Sequence, residues 1–358
     1  MAAYRKDAST NADATDKYLM FEIDPDIRKA KTLHADFYTD PAYFELSKEK
    51  IFARSWQFLA TADDIEGVTP FVILPGMLDE PVFTVKTSEW ISCLSNVCTH
   101  RGKILVEEPC HADLIRCPYH GRRFLLSGKM ISMPEFDGVE DFPSESDDLK
   151  MLPFAERQGF MFASLDPVEA FEAFVGDVAE RFAEDNYDAS ALRLTDRREY
   201  EIDAHWALYC ENYLEGFHIP YVHQALNAVV DYGSYTTETF RYSSLQTGLG
   251  DDGKVAARYL FIFPNLMFNF YPWGISVNVV RPVSPSKTMV EFLTYVRDES
   301  LVEKGAGADL HGIELEDEAV VESVQKGIRS RFYKHGRYSP TREQGTHHFH
   351  RLIAEFMK

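Results

Sequence analysis

Two short stretches constrain this chain more than any other part of it: "CTHRG" at Cys98–Gly102 and "CPYHG" at Cys117–Gly121. Together they read C-x-H, sixteen residues, then C-x-x-H. Each stretch ends in glycine, which allows a tight turn of the backbone, and Pro118 stiffens the second. The flanking sequences "PVFTVKTSEWISCLSNV" and "DLIRCPYHGRRFLLSGK" alternate apolar and polar residues between Gly, Pro and Ser punctuation, so the motifs fall on successive hairpins of a small antiparallel domain. A C2H2 zinc finger orders its ligands Cys, Cys, His, His at other spacings.

Two thiolates and two imidazoles in the order Cys, His, Cys, His suit a [2Fe–2S] centre of Rieske type. There, two cysteines hold one iron and two histidines the other. Cys98 and Cys117 would hold the first, His100 and His120 the second. Each loop gives one ligand to each iron, so the pair clamps the cluster. Cys110 and His111 lie between the loops and read as loop residues; Cys93 and Cys210 read as small core residues. Five cysteines in 358 residues form no disulfide framework.

A second constellation lies about a hundred residues on: "ENYLEGFHIPYVH", Glu211 to His223. Within one regular helix, five residues turn about 500°, leaving His218 and His223 about 140° apart. Pro220 lacks an N–H and disfavours helical dihedrals at Ile219. The helix is therefore expected to end near Phe217, and an irregular turn would let both rings face one point. A 2-His-1-carboxylate iron site needs an acid as well. "HGIELEDEAVVESVQKG" offers Glu314, Glu316, Asp317 and Glu318 at the expected start of a helix, where acids also complement the helix dipole without binding anything. "HHFH" at 347–350 and Glu211 are expected to pack or face solvent. Phe217, Tyr221, Phe268, Phe270, Tyr271 and Trp273 are candidates for a pocket wall.

The net charge of −20, from 37 basic and 57 acidic residues, argues against a nucleic-acid partner and gives no support to binding at an anionic membrane. No apolar run approaches the ~20 residues of a spanning helix. The first eighteen residues lack the apolar core of a secretory signal and read as a flexible start, so a cytoplasmic location is expected. "PVEAFEAFVGDVAERF" reads as an amphipathic helix, "ARYLFIFPNLMFNFYPWGISVNVVRPVSPSKTMVEFLTYVRD" as three strands, and "DEAVVESVQKGIRSRFY" as a helix with Val320, Val324, Ile328 and Phe332 on one stripe.

From about Tyr43 onward, the two constellations together make the chain resemble the oxygenase α subunits of Rieske non-haem iron oxygenases. The resemblance implies an α+β fold: an antiparallel-β Rieske domain and a helix-grip catalytic domain, with an antiparallel sheet and a long C-terminal helix. It implies residues 1–50 as an N-terminal segment on the catalytic domain, 51–165 as the Rieske domain and 166–358 as the mononuclear iron domain. Cys98, His100, Cys117 and His120 match the cluster ligands, and His218 and His223 match the histidines of the mononuclear Fe(II), with Asp317 the best match for the third ligand. Glu215 stands where the family normally has an aspartate that links the two metal sites; glutamate there resembles the choline and carnitine oxygenases. Asn212 falls where the family often has an asparagine near the iron. The implied activity is that of a terminal component that uses O₂ to hydroxylate or demethylate a small molecule, first a quaternary ammonium or N-methyl compound, alternatively an aromatic ring by dioxygenation. No Gly-rich dinucleotide fingerprint is present, so NAD(P)H would act through a separate flavin- or ferredoxin-type reductase. The resemblance also implies a head-to-tail homotrimer in which His120 of one chain meets Glu215 of the next. A Rieske electron carrier without oxygenase activity is the third reading; it would need neither the second constellation nor a second domain.

Overall fold

A computed structural model describes residues 21–176, 192–250, 252–302 and 304–358. The contacts divide them into two units, one running from Phe52 to Phe171, the other built from the segments on either side. The expected flexible start lies outside the described residues. Of the helix expected from Pro167, residues 171–176 are helical and the rest lie outside the described residues.

The Phe52–Phe171 unit consists of three three-stranded antiparallel sheets. Phe160–Ala163 pairs with Gln57–Thr61 and Phe154–Arg157. Val68–Ile73, Glu80–Lys86 and Ile91–Ser95 form a meander, as do Leu114–Arg116, Arg123–Leu125 and Met130–Ser132. Alternation drives Phe83, Val85, Leu94, Ile115 and Phe124 into one core, which also takes in Cys98 and Cys117. Asn96 is buried at the base of the first Cys loop. Its amide donates to the Val106 carbonyl at 2.7 Å and its Oδ1 accepts from Leu105 and Val106 N–H, so no buried polar group is left unmet there.

The other unit is organised by a seven-stranded antiparallel sheet. Six strands form a continuous meander from Thr236 to Val296, and Arg193–Ile202 pairs with its last strand, Lys287–Val296. The segment expected to give three strands gives four: Val255–Ile262, Leu266–Tyr271, Gly274–Ser284 and Lys287–Val296. Turns at Phe263–Asn265, Pro272–Trp273 and Pro285–Ser286 each reverse the chain. The Trp206–Tyr213 helix packs on the Leu310–Ile328 helix and on the Gly274–Ser284 strand, and the C-terminal Gln344–Phe356 helix packs on Thr236–Thr239. Among the described residues no helix is long and apolar enough to cross a membrane.

The Leu310–Ile328 helix corrects two expectations. Asp309 caps it, accepting from Gly312 N–H at 2.8 Å, so the acids at 314–318 lie in its second and third turns, beyond the reach of the dipole's first-turn effect. The buried face is Glu314, Val321, Gln325 and Ile328; Val324 is 43% exposed, and Phe332 lies past the helix at 92%. Strict four-residue spacing drifts about 40° per step around a helix. The true face also includes two polar side chains, each anchored through one oxygen: Glu314 Oε2 accepts from Tyr209 O–H at 2.8 Å, and Gln325 Oε1 accepts from His205 N–H at 2.7 Å.

His205 caps the Trp206–Tyr213 helix, its Nδ1 accepting from Ala207 N–H at 3.2 Å. The rings of Phe37, Tyr38, Phe44 and Trp206 enclose it, and burial pushes its pKa down from 6.5 to about 3. Between those values the unfolded chain binds the proton and the folded chain does not, so stability falls as pH is lowered. From pH 7.5 to 5.5 His205 alone should cost roughly 1.4 kcal/mol, one pKa unit's worth. His205→Asn keeps a cap acceptor and removes the titration. Urea unfolding at both pH values should show a shallower fall in the variant; an equal fall rules the cap out as the cause.

Candidate metal sites and their cavity

The two cysteine loops are built alike. Cys98 N–H donates to Lys103 O at 2.9 Å, and Gly102 N–H returns to Cys98 O at 2.9 Å. Cys117 N–H donates to Arg122 O at 2.8 Å, and Gly121 N–H returns to Cys117 O at 3.0 Å. Each closure needs a left-handed residue at the glycine, φ +73° at Gly102 and +77° at Gly121, a region only glycine enters freely. A Cβ at Gly102 would meet nothing within 4 Å, so dihedral rather than crowding requires it. The thiols are buried and neighbour each other, and burial raises that of Cys98. The half-buried His100 and His120 rings stand 4.8 Å apart. Arg122 is buried, donating to Thr99 Oγ1 at 2.7 Å and to Asp147 at 3.3 Å. Buried thiols paired with outward imidazoles fit a cluster whose two irons differ in ligand type.

In the other unit, the helix expected to end near Phe217 ends at Tyr213. Pro220 then serves as the second residue of a new single turn, Ile219–Val222, with His218 before it and His223 after it. Proline suits a first turn because its missing N–H would be unpaired anyway. The two rings are thereby turned to one another, their Nε2 atoms 3.2 Å apart. Asp317 Oδ1 reaches the same point, 3.0 Å from His223 Nε2 and 3.6 Å from His218 Nε2. All three ligand atoms lie within 4.8 Å of one another.

The outer nitrogens explain this convergence. His218 Nδ1–H donates to Glu215 Oε1 at 2.7 Å, and His223 Nδ1–H donates to Glu316 Oε2 at 2.7 Å. With the protons on Nδ1, both Nε2 lone pairs and a carboxylate oxygen face one point. That arrangement is repulsive on its own and suits a cation held by two imidazoles and one carboxylate. Burial works against charge on His223, yet Asp317 and Glu316 outweigh it and raise its pKa, so the centre favours positive charge. Asn212 Nδ2 donates to Asp317 Oδ1 at 2.7 Å. Glu215 Oε2 also accepts from the N–H groups of Phe217 and His218. Of the four candidate acids, Glu316 meets an outer nitrogen, Glu314 bonds Tyr209, and Glu318 does not join the cluster.

The cavity over this centre is lined by Tyr213, Tyr235, Tyr259, Tyr271, Asn269 and Asn278, among others. Of the aromatics expected there, only Tyr271 lines it. Phe217 and Tyr221 are exposed. Phe268 and Phe270 alternate with Asn269 and so face the other side of the sheet. Trp273 stacks against Tyr271 at 5.1 Å. A polar residue inside each apolar strand, "LMFNFY" and "ISVNVV", was the available signal for Asn269 and Asn278. His347 and His350 are buried in the C-terminal helix, where His350 bonds Tyr338 at 2.6 Å and Glu211 at 3.0 Å, a packing role.

Residues 55–143 match the Rieske [2Fe-2S] domain, and residues 231–358 match the ring hydroxylating alpha subunit catalytic domain. Choline monooxygenase of Arabidopsis thaliana is 32% identical over 372 residues, covering 95% of this chain and 86% of the relative. The carnitine monooxygenase oxygenase subunit of Escherichia coli K12 is 28% identical over 355 residues, covering 92% and 95%. A crystal structure of a quaternary ammonium Rieske monooxygenase in complex with L-carnitine matches with TM-score 0.78 at 27% identity, covering 94% of this chain and 99% of that one. Naphthalene 1,2-dioxygenase of Rhodococcus shares the fold, with TM-score 0.72 at 18% identity. These matches define an iron-dependent oxidoreductase that acts with O₂. The chain belongs to the Rieske non-haem iron oxygenases, as an oxygenase α subunit whose cofactors are one Rieske [2Fe–2S] cluster and one mononuclear iron.

Proposed function

We propose that this chain monooxygenates a quaternary ammonium or N-methyl compound, hydroxylating it or removing a methyl group. The observation that carries this is the tyrosine wall. Tyr213, Tyr235 and Tyr271 surround Tyr259 with ring centroids 6.3, 6.5 and 6.2 Å from it, in the cavity shared with His218, His223 and Asp317. Aromatic faces attract a trimethylammonium group. The choline and carnitine relatives support the same substrate class.

In this reading Cys98 and Cys117 hold one cluster iron, His100 and His120 the other, and His218, His223 and Asp317 hold the mononuclear iron. When bound, these groups supply electrons and activate O₂. Glu215 and Glu316 fix the tautomers of the two histidines, as carboxylates behind metal-bound imidazoles do. Asn212 holds the Asp317 carboxylate in place. The tyrosines exclude water and orient the ammonium head. Electrons reach the cluster from an NAD(P)H-dependent, flavin- or ferredoxin-type reductase. The working assembly is a cytoplasmic head-to-tail homotrimer in which His120 of one chain meets Glu215 of the next, with residues 51–165 as the cluster domain, 166–358 as the iron domain and 1–50 packed on the latter.

The test is product analysis by mass spectrometry on the holoenzyme with an NADH-dependent reductase, offering choline, L-carnitine and naphthalene. An oxidised ammonium product with matching NADH consumption is expected. Product from naphthalene and none from either ammonium compound would reverse the assignment.

A further inference from the structure

Among the described residues Arg122 is the only Lys or Arg that is buried, at 2% exposed. It joins the two cysteine loops. Its carbonyl accepts from Cys117 N–H in the second loop. Its Nη1 donates to Thr99 Oγ1 at 2.7 Å in the first, one residue from both Cys98 and His100. The Phe142 and Phe136 rings lie 5.4 and 5.8 Å from the guanidinium carbon, and Phe136 also meets the His100 ring at 5.5 Å. A charge walled off from water by such rings is felt more strongly by its neighbours than a solvated one.

The counter-ion is better solvated. Asp147 Oδ1 accepts from Nη1 and Nη2 at 3.3 Å each, but the Asp147 side chain is 19% exposed against 3% for Arg122. Water therefore screens the carboxylate more than the guanidinium. Arg122 Nε is buried with no hydrogen-bond partner, and it is the guanidinium nitrogen nearest the Arg122 main chain, which is bonded to Cys117. An open donor in a buried cation between two cysteine loops suits an acceptor that the loops hold. The sulfurs of a [2Fe–2S] cluster are such acceptors, and hydrogen bonds to them help to set its potential. The adjoining sequence has the opposite sign. Seven Asp and Glu, and no Lys or Arg, fall between positions 135 and 148, in the segment that carries Phe136, Phe142 and Asp147. Reducing the cluster adds an electron, which those acids oppose and a buried cation favours.

We propose that Arg122 sets the reduction potential of the cluster, its buried charge holding the potential above the value the acidic segment would impose. This rests on Cys98, His100, Cys117 and His120 holding the cluster, and it is independent of the substrate. A higher potential makes the cluster a better acceptor of electrons from the reductase and a weaker donor onward, so Arg122 divides the driving force between the two transfers.

Redox titration of the cluster-loaded full chain at fixed pH, followed by its visible spectrum, tests this. Arg122→Gln is expected to lower the equilibrium constant for reduction about tenfold, about 59 mV for one electron. Arg122→Lys keeps the charge and should stay within about threefold of wild type. Asp147→Asn keeps an acceptor for the guanidinium and removes the counter-charge, so the same constant should rise, by about threefold for a partly screened charge. Opposite shifts in Arg122→Gln and Asp147→Asn are the signature of a charge; loosened packing does not produce them. The proposal is overturned by an Arg122→Gln potential within about threefold of wild type on this scale, by a fall in Arg122→Lys as large as in Arg122→Gln, or by no rise in Asp147→Asn. Should Arg122→Gln not hold a cluster, Arg122→Lys and Asp147→Asn decide by the same criteria. A normal cluster spectrum with unmoved potentials overturns the proposal alone, whereas wild-type protein that forms no cluster on reconstitution overturns the ligand assignment and the proposal with it.

Discussion

Asp317→Ala is expected to strip the mononuclear iron from the protein while leaving the visible spectrum of the [2Fe–2S] cluster unchanged. Among the described residues, Asp317 Oδ1 is the one carboxylate oxygen that reaches both facing ring nitrogens, and the residues proposed to hold the cluster belong to the other unit. Removing it leaves two imidazoles, too few for a stable site of this class. Glu316→Ala makes the informative control. Glu316 touches only the outer nitrogen of His223, so its loss should weaken iron by about 10–100-fold, as the loss of an outer-shell partner does, without abolishing the site. Iron analysis after dialysis separates the two. Normal iron in Asp317→Ala, with loss in Glu316→Ala, would move the third ligand to Glu316.

Glu215→Gln is expected to lower turnover by about two orders of magnitude, the upper end of what outer-shell changes produce. The geometry explains why so small a change should matter. One carboxylate oxygen accepts from His218 Nδ1–H and the other from two backbone N–H groups. Glutamine has a single acceptor oxygen, so whichever way its amide turns, an NH₂ group meets an N–H. The His218 ring then loses its orientation or the turn holding it is strained. If Glu215 also accepts from His120 of a neighbouring chain, the link between the two metals is lost as well. Single-turnover kinetics on the prereduced variant should show slow reoxidation of the cluster when substrate and O₂ are added. Reoxidation at the wild-type rate would take Glu215 out of the electron route.

The convergence of His218 and His223 was legible because Pro220 marks a break in a helix, and two rings five residues apart can meet only across such a break. The location of the break was not legible: proline is accommodated inside the new turn, so the first helix stops four residues earlier than the proline rule alone places it. The paired loops were readable because two cysteines, two histidines and two glycines are compressed into two short hairpins. The cavity wall was not. Tyr213, Tyr235, Tyr259 and Tyr271 come from a helix end, a loop and two strands, and nothing local distinguishes a tyrosine facing a cavity from one facing a core. In the sequence Glu314 and Glu316 are simply members of one acidic run. Two positions, about 200° around the helix, separate the residue that reaches behind a histidine from the one buried against Tyr209.

One chain of this family holds both a Rieske cluster and a separate iron centre. Iron and acid-labile sulfide determined together on purified, reconstituted protein test it directly. Three irons and two sulfides per chain, about 3:2, are the predicted result, two of the irons in the cluster. A ratio of about 2:2, with the cluster spectrum fully developed, would contradict it and leave an electron carrier in place of an oxygenase.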